Sequence, residues 1–431
     1  MDPIKIGLLG LGNVGSGVWQ ILQQNGELIA NRAGGPLQIT SVVVRDPHKE
    51  RLVQVPSHLV TTDAEMLLTD PNIHIVVETI GCSNGTTEPA RTYINKALRA
   101  GKHVVTANKE ALAKHIDEFN ASALAGGGSL YFEAAVAGGI PIIKSLREAL
   151  VANRIQALMG IINGTTNYML TRMANDGLEF DDVLAKAQSL GYAEADPSSD
   201  VEGYDAAYKL ALLASIAFGA KIDVNDVYCE GITRIALEDL RYASELGFCV
   251  KLLAIAKEEA GSLELRVHPT MIPVDHPLAA VNDVFNAVFV QGDAVGDLMF
   301  YGRGAGMMPT GSAVLADCID AAKNIRRGVA ASGNGNLQRK PIKPIKDVVC
   351  RYYLNFQVID RPGVMASIAA ALGREGVSIE SCLQKGRRQD PVGLVIVTHS
   401  VAEHNLRQAL EHITTLPVVR AVANVIRVEG D

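Results

Sequence analysis

An aspartate and a lysine four residues apart, Asp205 and Lys209, stand in the stretch GYDAAYKLALLASIAFGA. On a helix this spacing puts both on one face, where an exposed pair contributes only about 0.2–0.5 kcal/mol. Their neighbours here are Tyr204, Ala206, Ala207, Tyr208, Leu210, Ala211, Leu212 and Leu213, an apolar surround that implies burial. Charges taken out of water need partners or a polar cavity. A desolvated lysine can have a lowered pKa and serve in proton transfer. Upstream, Glu194, Asp196 and Asp200 lie in a Gly-, Pro- and Ser-containing loop leading into that helix. Acids at such an entry suit a substrate ammonium, with Asp196, next to Pro197, the first candidate for plain capping.

A second cationic candidate, Lys109, follows the apolar strand text HVVTAN. That position is the carboxyl edge of a sheet, where open α/β sheets bind their ligands. In GLGNVG, residues 10–15, the spacing is G-x-G-x-x-G between a strand and a helix. Gly10 makes the tight turn, Gly12 admits a pyrophosphate, and Gly15 lets the helix pack closely, with Asn13 and Val14 completing the turn. The helix start then offers amides and a positive dipole end to the phosphates. The next strand ends in VVVRD, so Arg45, with Lys49 nearby, favours a 2′-phosphate and hence NADP. Asp46 is adjacent, and an acid there would instead bind ribose hydroxyls, as in NAD sites.

These candidates need a frame, and the text supplies one. Residues 1–145 alternate short β-branched runs (IKIGLLG, ITSVVVRD, IHIVVETI, HVVTAN) with helical text, which predicts a Rossmann-type parallel sheet. Residues 146–330 mix long helices with strands, an α+β layer of open sheet covered by helices, with GSAVLADCIDAAKNIRRG as its closing helix. Residues 331–349 read as a linker rich in Gly, Asn, Pro and Lys. Residues 350–431 follow a ferredoxin-like βαββαβ order, a module expected to fold on its own.

At 431 residues the chain exceeds one core, and 48% hydrophobic with 20% charged residues is ordinary globular composition. A net charge of -7 without a long basic run argues against a nucleic-acid partner. The longest apolar run, LALLASIAFGA, falls short of the about 20 residues a bilayer span needs. The chain opens directly on strand text without signal-peptide features, and its six cysteines show no CxxC pair. Reduced thiols and a cytoplasmic location are expected.

Together these residues resemble the homoserine dehydrogenases over the whole chain. The most specific part is GYAEADPSSDVEGYDAAYKLALLA, supported by VVTANK, YFEAAVAGGIPII, GIINGTTNY and YGRGAGMMPTGSAVLAD. The C-terminal module resembles an ACT domain, with DRPGVMASIAAAL as ligand-loop and helix text. The resemblance implies NAD(P)-linked interconversion of L-homoserine and L-aspartate 4-semialdehyde, in threonine, methionine and isoleucine biosynthesis. It implies that residues 146–330 are the substrate-binding, catalytic and dimerisation domain, and that its closing helix returns to the first domain. It implies that Glu194 and Asp200 bind substrate, that Asp205 and Lys209 flank the reacting carbon, and that Lys109 is a second active-site lysine. Either lysine can relay the proton, with Lys209 ahead. Thr79 and Gly81, at the loop bordering the nicotinamide, join the implied cofactor contacts, as does Lys109. That loop, ETIGCSNGTTEPA, is longer than the family's usual turn, so Cys82, Ser83 and Asn84 could alter cofactor closure.

The resemblance further implies a sodium-like cation on backbone carbonyls of Glu133, Val136, Gly138 and Ile140. It implies feedback inhibition by L-threonine at Asp360, Gly363, Val364 and Gln384, in a homodimer or homotetramer. Two other classes compete. A ligand sensor on an inactive dehydrogenase scaffold should have lost Lys109, Asp205 or Lys209, and all are present. Another amino-acid or aldehyde reductase of this fold would need a differently charged loop than Glu194–Asp200. The C-terminal module has its own alternative, pairing copies of the chain without binding a ligand.

Overall fold

The computed structural model describes residues 2–81, 86–329, 337–385 and 391–430. The chain divides into two compact units, and it passes between them several times. The first unit is Met1–Ile155, Tyr208–Asn225 and Asn286–Arg339; the second is Gln156–Ala207, Asp226–Phe285 and Lys340–Asp431.

The first unit is built on β1 (Ile4–Leu9), β2 (Leu37–Val43), β3 (Val60–Thr61), β4 (Ile75–Glu78), β5 (His103–Thr106) and β6 (Leu130–Tyr131). All pairings are parallel, in the order β3-β2-β1-β4-β5-β6. Central strands such as IVVE and HVVT are buried at every residue, which is why they read as continuous apolar runs without alternation. The order reverses between β1 and β4, and ligands of such sheets bind at that switch point, beyond the carboxyl ends of the strands.

Two helices hold this unit's core beside β1. Helix Asn13–Gln24 contributes Val18, Trp19 and Leu22, and helix Met307–Arg327 contributes Val314, Cys318 and Ala321 to the same apolar cluster. They cross at glycines. A Cβ on Gly17 would lie 2.0 Å from the Met307 carbonyl oxygen, and one on Gly311 would lie 2.7 Å from the Gly17 carbonyl carbon. The Met307 helix begins four residues before Gly311, inside text that reads as Gly-rich strand and turn.

The remaining strands are β7 (Ile155–Ile161), β8 (Tyr228–Cys229), β9 (Phe248–Glu259), β10 (Ser262–Pro273), β11 (Phe285–Gly292) and β12 (Gly296–Arg303). After them come β13 (Val349–Val358), β14 (Ile379–Lys385), β15 (Val392–Thr398), β16 (Val401–Ala402) and β17 (Val419–Val428). The residues of β12, and of β11 from Asn286, belong to the first unit.

In the second unit one mixed sheet runs β7-β9-β10-β17-β13-β15-β14, with β8 beside β10 and β16 beside β13. The hairpin of β9 and β10 turns at Ala260 and Gly261, both left-handed at φ 50° and 80°, and pairs twelve residues on each side. The C-terminal module has the expected βαββαβ order, with helices Val364–Arg374 and Glu403–Thr414, but it does not stand apart. Its strand β17 pairs in parallel with β10 through Thr270↔Arg427 and Met271↔Val428. The segment expected as a free linker also pairs, Leu263↔Ile342. An apolar strand edge left open would invite aggregation, and here one module covers the other's edge.

Candidate active site

The cofactor end of the first unit is shaped by what its glycines exclude. Gly10 adopts φ +94°, and a Cβ on Gly15 would fall 2.3 Å from the Gly10 carbonyl oxygen. Gly12 is the opposite case: no atom of the described residues lies within 4 Å of where its Cβ would be. A close turn, a close helix and an open face between them are the three requirements of a pyrophosphate seat. The first turn of helix Asn13–Gln24 carries no acid, so a phosphate there would meet its amides without a competing charge. Thr79 locks the switch point, its hydroxyl donating to the carbonyls of Leu9 at 3.1 Å and Gly10 at 3.0 Å. Gly81 is exposed, and no atom of the described residues lies within 4 Å of where its Cβ would be. The residues fit a dinucleotide.

Beyond β2, the acid and the arginine of VVVRD are in different circumstances. The Asp46 carboxylate accepts the His48 N–H at 2.9 Å, closing its own turn. Arg51, which sequence reasoning passed over, donates to the carbonyls of Lys49 and Asp46 and staples the loop. Arg45 and Lys49 are exposed.

Lys109 is the first residue of helix Lys109–Gly126, half-buried, with Asn108 as the N-cap accepting the Ala111 N–H at 3.1 Å. The Asn108 amide donates to the Ile80 carbonyl at 2.9 Å, tying this helix start to the end of β4. Beneath it lies Glu78, which no sequence pattern singled out. Its carboxylate accepts the Thr106 hydroxyl at 2.5 Å and the Ile80 N–H at 2.7 Å. Burial pushes its pKa up to about 7 against the pull of those hydrogen bonds.

In the second unit the acidic loop becomes the short helix Ser198–Val201, and helix Tyr204–Ala217 follows, in the second unit as far as Ala207 and in the first from Tyr208. Asp205 is 4% exposed, and Lys209 follows one helical turn later, half-buried. Asn163 gathers the acids: its amide nitrogen donates to Asp200 at 2.7 Å and to Asp205 at 2.9 Å. Glu194 is exposed in the loop, its carbonyl accepting from Gln188 at 3.0 Å. Asp196 is also exposed and caps its own turn, accepting the Ser198 N–H and hydroxyl, which hold its carboxyl below the usual range.

Three family models match the chain. They are "Homoserine dehydrogenase" over residues 141–319, "Homoserine dehydrogenase, NAD binding domain" over 10–133, and "ACT domain" over 352–418. A homoserine dehydrogenase of Synechocystis is 47% identical, covering 99% of each chain. This chain belongs to the homoserine dehydrogenase family. One from Corynebacterium glutamicum is 46% identical, covering 100% of this chain and 96% of its own. The crystal structure of a homoserine dehydrogenase from Thiobacillus denitrificans is 44% identical, covering 100% of this chain and 99% of its own, with a TM-score of 0.92. A hyperthermophilic archaeal homoserine dehydrogenase in complex with NADPH is 26% identical, covers 74% of this chain and 98% of its own, and has a TM-score of 0.63. The chain is thus an oxidoreductase with a dinucleotide-binding Rossmann domain and a C-terminal ACT domain.

Within this homoserine dehydrogenase fold, the turn after Glu133 carries two successive left-handed residues, Ala137 at φ 55° and Gly138 at φ 53°. The Glu133 carboxylate accepts the amides of Ile143 at 3.0 Å and Lys144 at 2.7 Å, while its own N–H donates to buried Asp317 at 2.8 Å. The Ile140 carbonyl accepts the Ile142 N–H at 2.8 Å, which leaves one lone pair for anything else. Among the described residues no three His, Cys, Asp or Glu side chains cluster as a metal site.

In the ACT domain Gly363, at φ +93°, precedes helix Val364–Arg374, and Asp360 is exposed just before it. The Val364 side chain is 6% exposed within the domain core. Gln384 lies exposed on β14, paired with Leu394. Cys82, Ser83 and Asn84 lie outside the described residues. Among the described residues the five cysteines are free, and no helix is long and apolar enough to cross a membrane.

Proposed function

We propose that the chain interconverts L-homoserine and L-aspartate 4-semialdehyde, in threonine, methionine and isoleucine biosynthesis, using NADP in preference to NAD. The observation that carries this is the helix Tyr204–Ala217: buried Asp205 is tied through Asn163 to Asp200, and Lys209 follows one turn on. Asp200, with Glu194 from the loop, suits the substrate's amine and hydroxyl, and Asp205 with Lys209 the reacting carbon. Lys209, with Lys109 as the alternative, takes the hydroxyl proton in oxidation and returns it to the carbonyl oxygen in reduction. Asp205 orients that exchange. The dinucleotide, when bound on Gly10, Gly12 and Gly15, supplies the hydride acceptor or donor.

NADP is favoured because Asp46 is engaged in its own turn while Arg45 and Lys49 are exposed beside it. A sodium-like ion on the carbonyls of Glu133, Val136, Gly138 and Ile140 would brace this region. The ACT domain supports control by an amino acid, L-threonine, through the Asp360–Val364 loop and Gln384, in a dimer or tetramer. The test is homoserine-dependent reduction of NADP and of NAD, with sodium and potassium salts present, for wild type and Lys209→Ala. Turnover faster with NADP, and a loss of about 10²–10⁴-fold in the variant, is expected for a proton-transfer group. No turnover by the wild type with either cofactor overturns the reading.

A further inference from the structure

The strands β4 and β5 end side by side, with Glu78 in register with Thr106, and the Ala107 N–H still reaches the Glu78 carbonyl at 3.3 Å. Thr79, Ile80 and Gly81 continue the chain from β4, while Asn108 and Lys109 open a helix after β5. Side chains join these two continuations. The Glu78 carboxylate accepts the Ile80 N–H on one oxygen at 2.7 Å and the Thr106 hydroxyl on the other at 2.5 Å. Thr106 Oγ1 in turn accepts the Asn108 N–H at 3.0 Å, and the Asn108 side chain donates to the Ile80 carbonyl at 2.9 Å. Asn108 Oδ1 accepts the Ala111 N–H at 3.1 Å; a backbone N–H can only donate, so the group on Ile80 is the NH₂. These bonds close a ring through Glu78, Ile80, Asn108 and Thr106.

Burial raises what each bond is worth. Glu78 and Thr106 are 0% exposed and Asn108 is 8% exposed. A bond broken there leaves a buried donor unpaired, with no water to replace the partner. An apolar side chain of the same size would fill the space without the desolvation that a carboxyl group incurs. What the carboxyl group adds is two contact points in one plane, one for each continuation.

We propose that Glu78 is a positioning residue for the dinucleotide: its carboxyl group sets the spacing between the backbone at Thr79–Gly81 and the helix start that carries Lys109. This rests on the dinucleotide reading above, with Thr79, Gly81 and Lys109 as its contacts. Glu78 is enclosed, so it acts through those residues and touches no ligand itself.

Three single variants separate the brace from the charge. Glu78→Leu is of similar size and releases both continuations. Thr106→Val is nearly isosteric and releases only the second. Glu78→Gln keeps an oxygen for the Ile80 N–H and offers an NH₂ to Thr106 Oγ1, which can accept. The affinity for NADPH is measured by its fluorescence without homoserine, and kcat and the KM of homoserine by turnover, each under conditions where urea unfolding shows the variant folded. Glu78→Leu should raise the Kd of NADPH about 10–100-fold, the range for hydrogen bonds made by a charged group. Its kcat should fall by up to about 10²-fold, as for a misplacement of about 1 Å. Thr106→Val should move both in the same direction and by less, and Glu78→Gln should stay near wild type. The double variant Glu78→Leu/Thr106→Val should be little worse than Glu78→Leu, because residues acting through one another are not additive. The homoserine KM should change less than the Kd of NADPH, since Glu194 and Asp200 stand on other segments. Unchanged NADPH affinity in both Glu78→Leu and Thr106→Val overturns the inference, as does a Glu78→Gln variant as impaired as Glu78→Leu, which would make the charge and not the brace the cause. A wild type that binds no NADPH overturns the dinucleotide reading and this inference with it. A wild type that binds NADPH but does not turn over homoserine overturns the proposed reaction alone, and the affinities still decide the role of Glu78. Should Glu78→Leu fail to fold, Thr106→Val and Glu78→Gln decide by the same measurements.

Discussion

At the scale of single residues, Glu78 is the group whose chemistry is most altered by its surroundings. It ends β4 with no exposure to solvent, and burial lifts its pKa from the ordinary 4.5 to about 7. Thr106, Ile80 and Asn108 hydrogen-bond its carboxylate and moderate that rise. The folded value stands above the unfolded one, so between pH 4.5 and about 7 the folded state holds a proton that the unfolded chain has released. Its contribution to stability is complete below pH 4.5 and is lost as pH rises through 7. Glu78→Gln mimics the protonated form at every pH. Wild type should therefore lose up to about 3 kcal/mol relative to the variant between pH 5 and pH 8, by urea unfolding. An equal difference at both pH values would mean that Glu78 does not titrate in this window. Lys251 makes the complementary point about charge inside a strand. It is 4% exposed in β9, and its ammonium donates to the Val281 carbonyl at 2.6 Å and to Asn282 at 3.0 Å. Read along the sequence, the same lysine looks like a mark of solvent.

Elements in this protein are positioned by backbone approach as much as by side chains, and glycine is where that is tested. The dinucleotide helix Asn13–Gln24 meets helix Met307–Arg327 where a Cβ on Gly17 would sit 2.0 Å from a backbone oxygen. Gly17→Ala must push the helices apart, at about 1–3 kcal/mol or more, since backbone cannot yield like a side chain. The N-terminus of the displaced helix is the proposed phosphate seat, so KM for the dinucleotide should rise with the loss of Tm. Gly26→Ala is the control. It also lies in a helix, nothing is within 4 Å of its Cβ position, and the change should be neutral or slightly stabilising. The strands β1, β2, β4 and β5 were legible because buried parallel strands are unbroken β-branched runs between turn residues. The spacing of Gly10, Gly12 and Gly15 likewise marked the turn between β1 and helix Asn13–Gln24. In contrast, β9 was not legible: its central residues, Val250–Ala256, are buried on both faces, so FCVKLLAIAKEE shows no alternation, and Lys251 interrupts it. Asn163 and Arg51 were missed for a different reason. Their importance lies in partners 37 and 42 residues away for Asn163, and in backbone carbonyls for Arg51, and neither leaves a local pattern.

Across the second unit as a whole, the C-terminal module is joined to the rest through buried polar contacts that a linker reading did not anticipate. Asp239, 1% exposed on helix Leu237–Glu245, accepts from the Tyr353 hydroxyl at 3.0 Å, Asn355 at 2.9 Å and Asn424 at 2.7 Å, all three from the module. Arg427 on β17 binds Glu403 inside the module at 2.9 Å and Glu230 outside it at 3.0 Å. Glu230 belongs to a segment packed hard against the short helix Ser198–Val201. The Ile232 N–H donates to the Val201 carbonyl at 2.8 Å, and a Cβ on Gly231 would meet that same oxygen at 2.2 Å. Val201 ends the short helix that carries Asp200. A change in the module thus has a continuous packed route to the acids, which spatial adjacency permits and only a coupling measurement establishes. Arg427→Met is the substitution that separates the two roles of this junction. It strands Glu403, 2% exposed, with Arg407 as its remaining cation, and removing one partner of a buried pair costs about 3–5 kcal/mol. Urea unfolding should show a loss near that size. At low urea, where the variant is still folded, added L-threonine should change the homoserine KM of wild type and leave that of Arg427→Met unmoved. If threonine acts equally on both, the signal passes elsewhere and the Arg427–Glu230 contact serves stability alone, since a ligand shifts another site only through a contact that differs between two states.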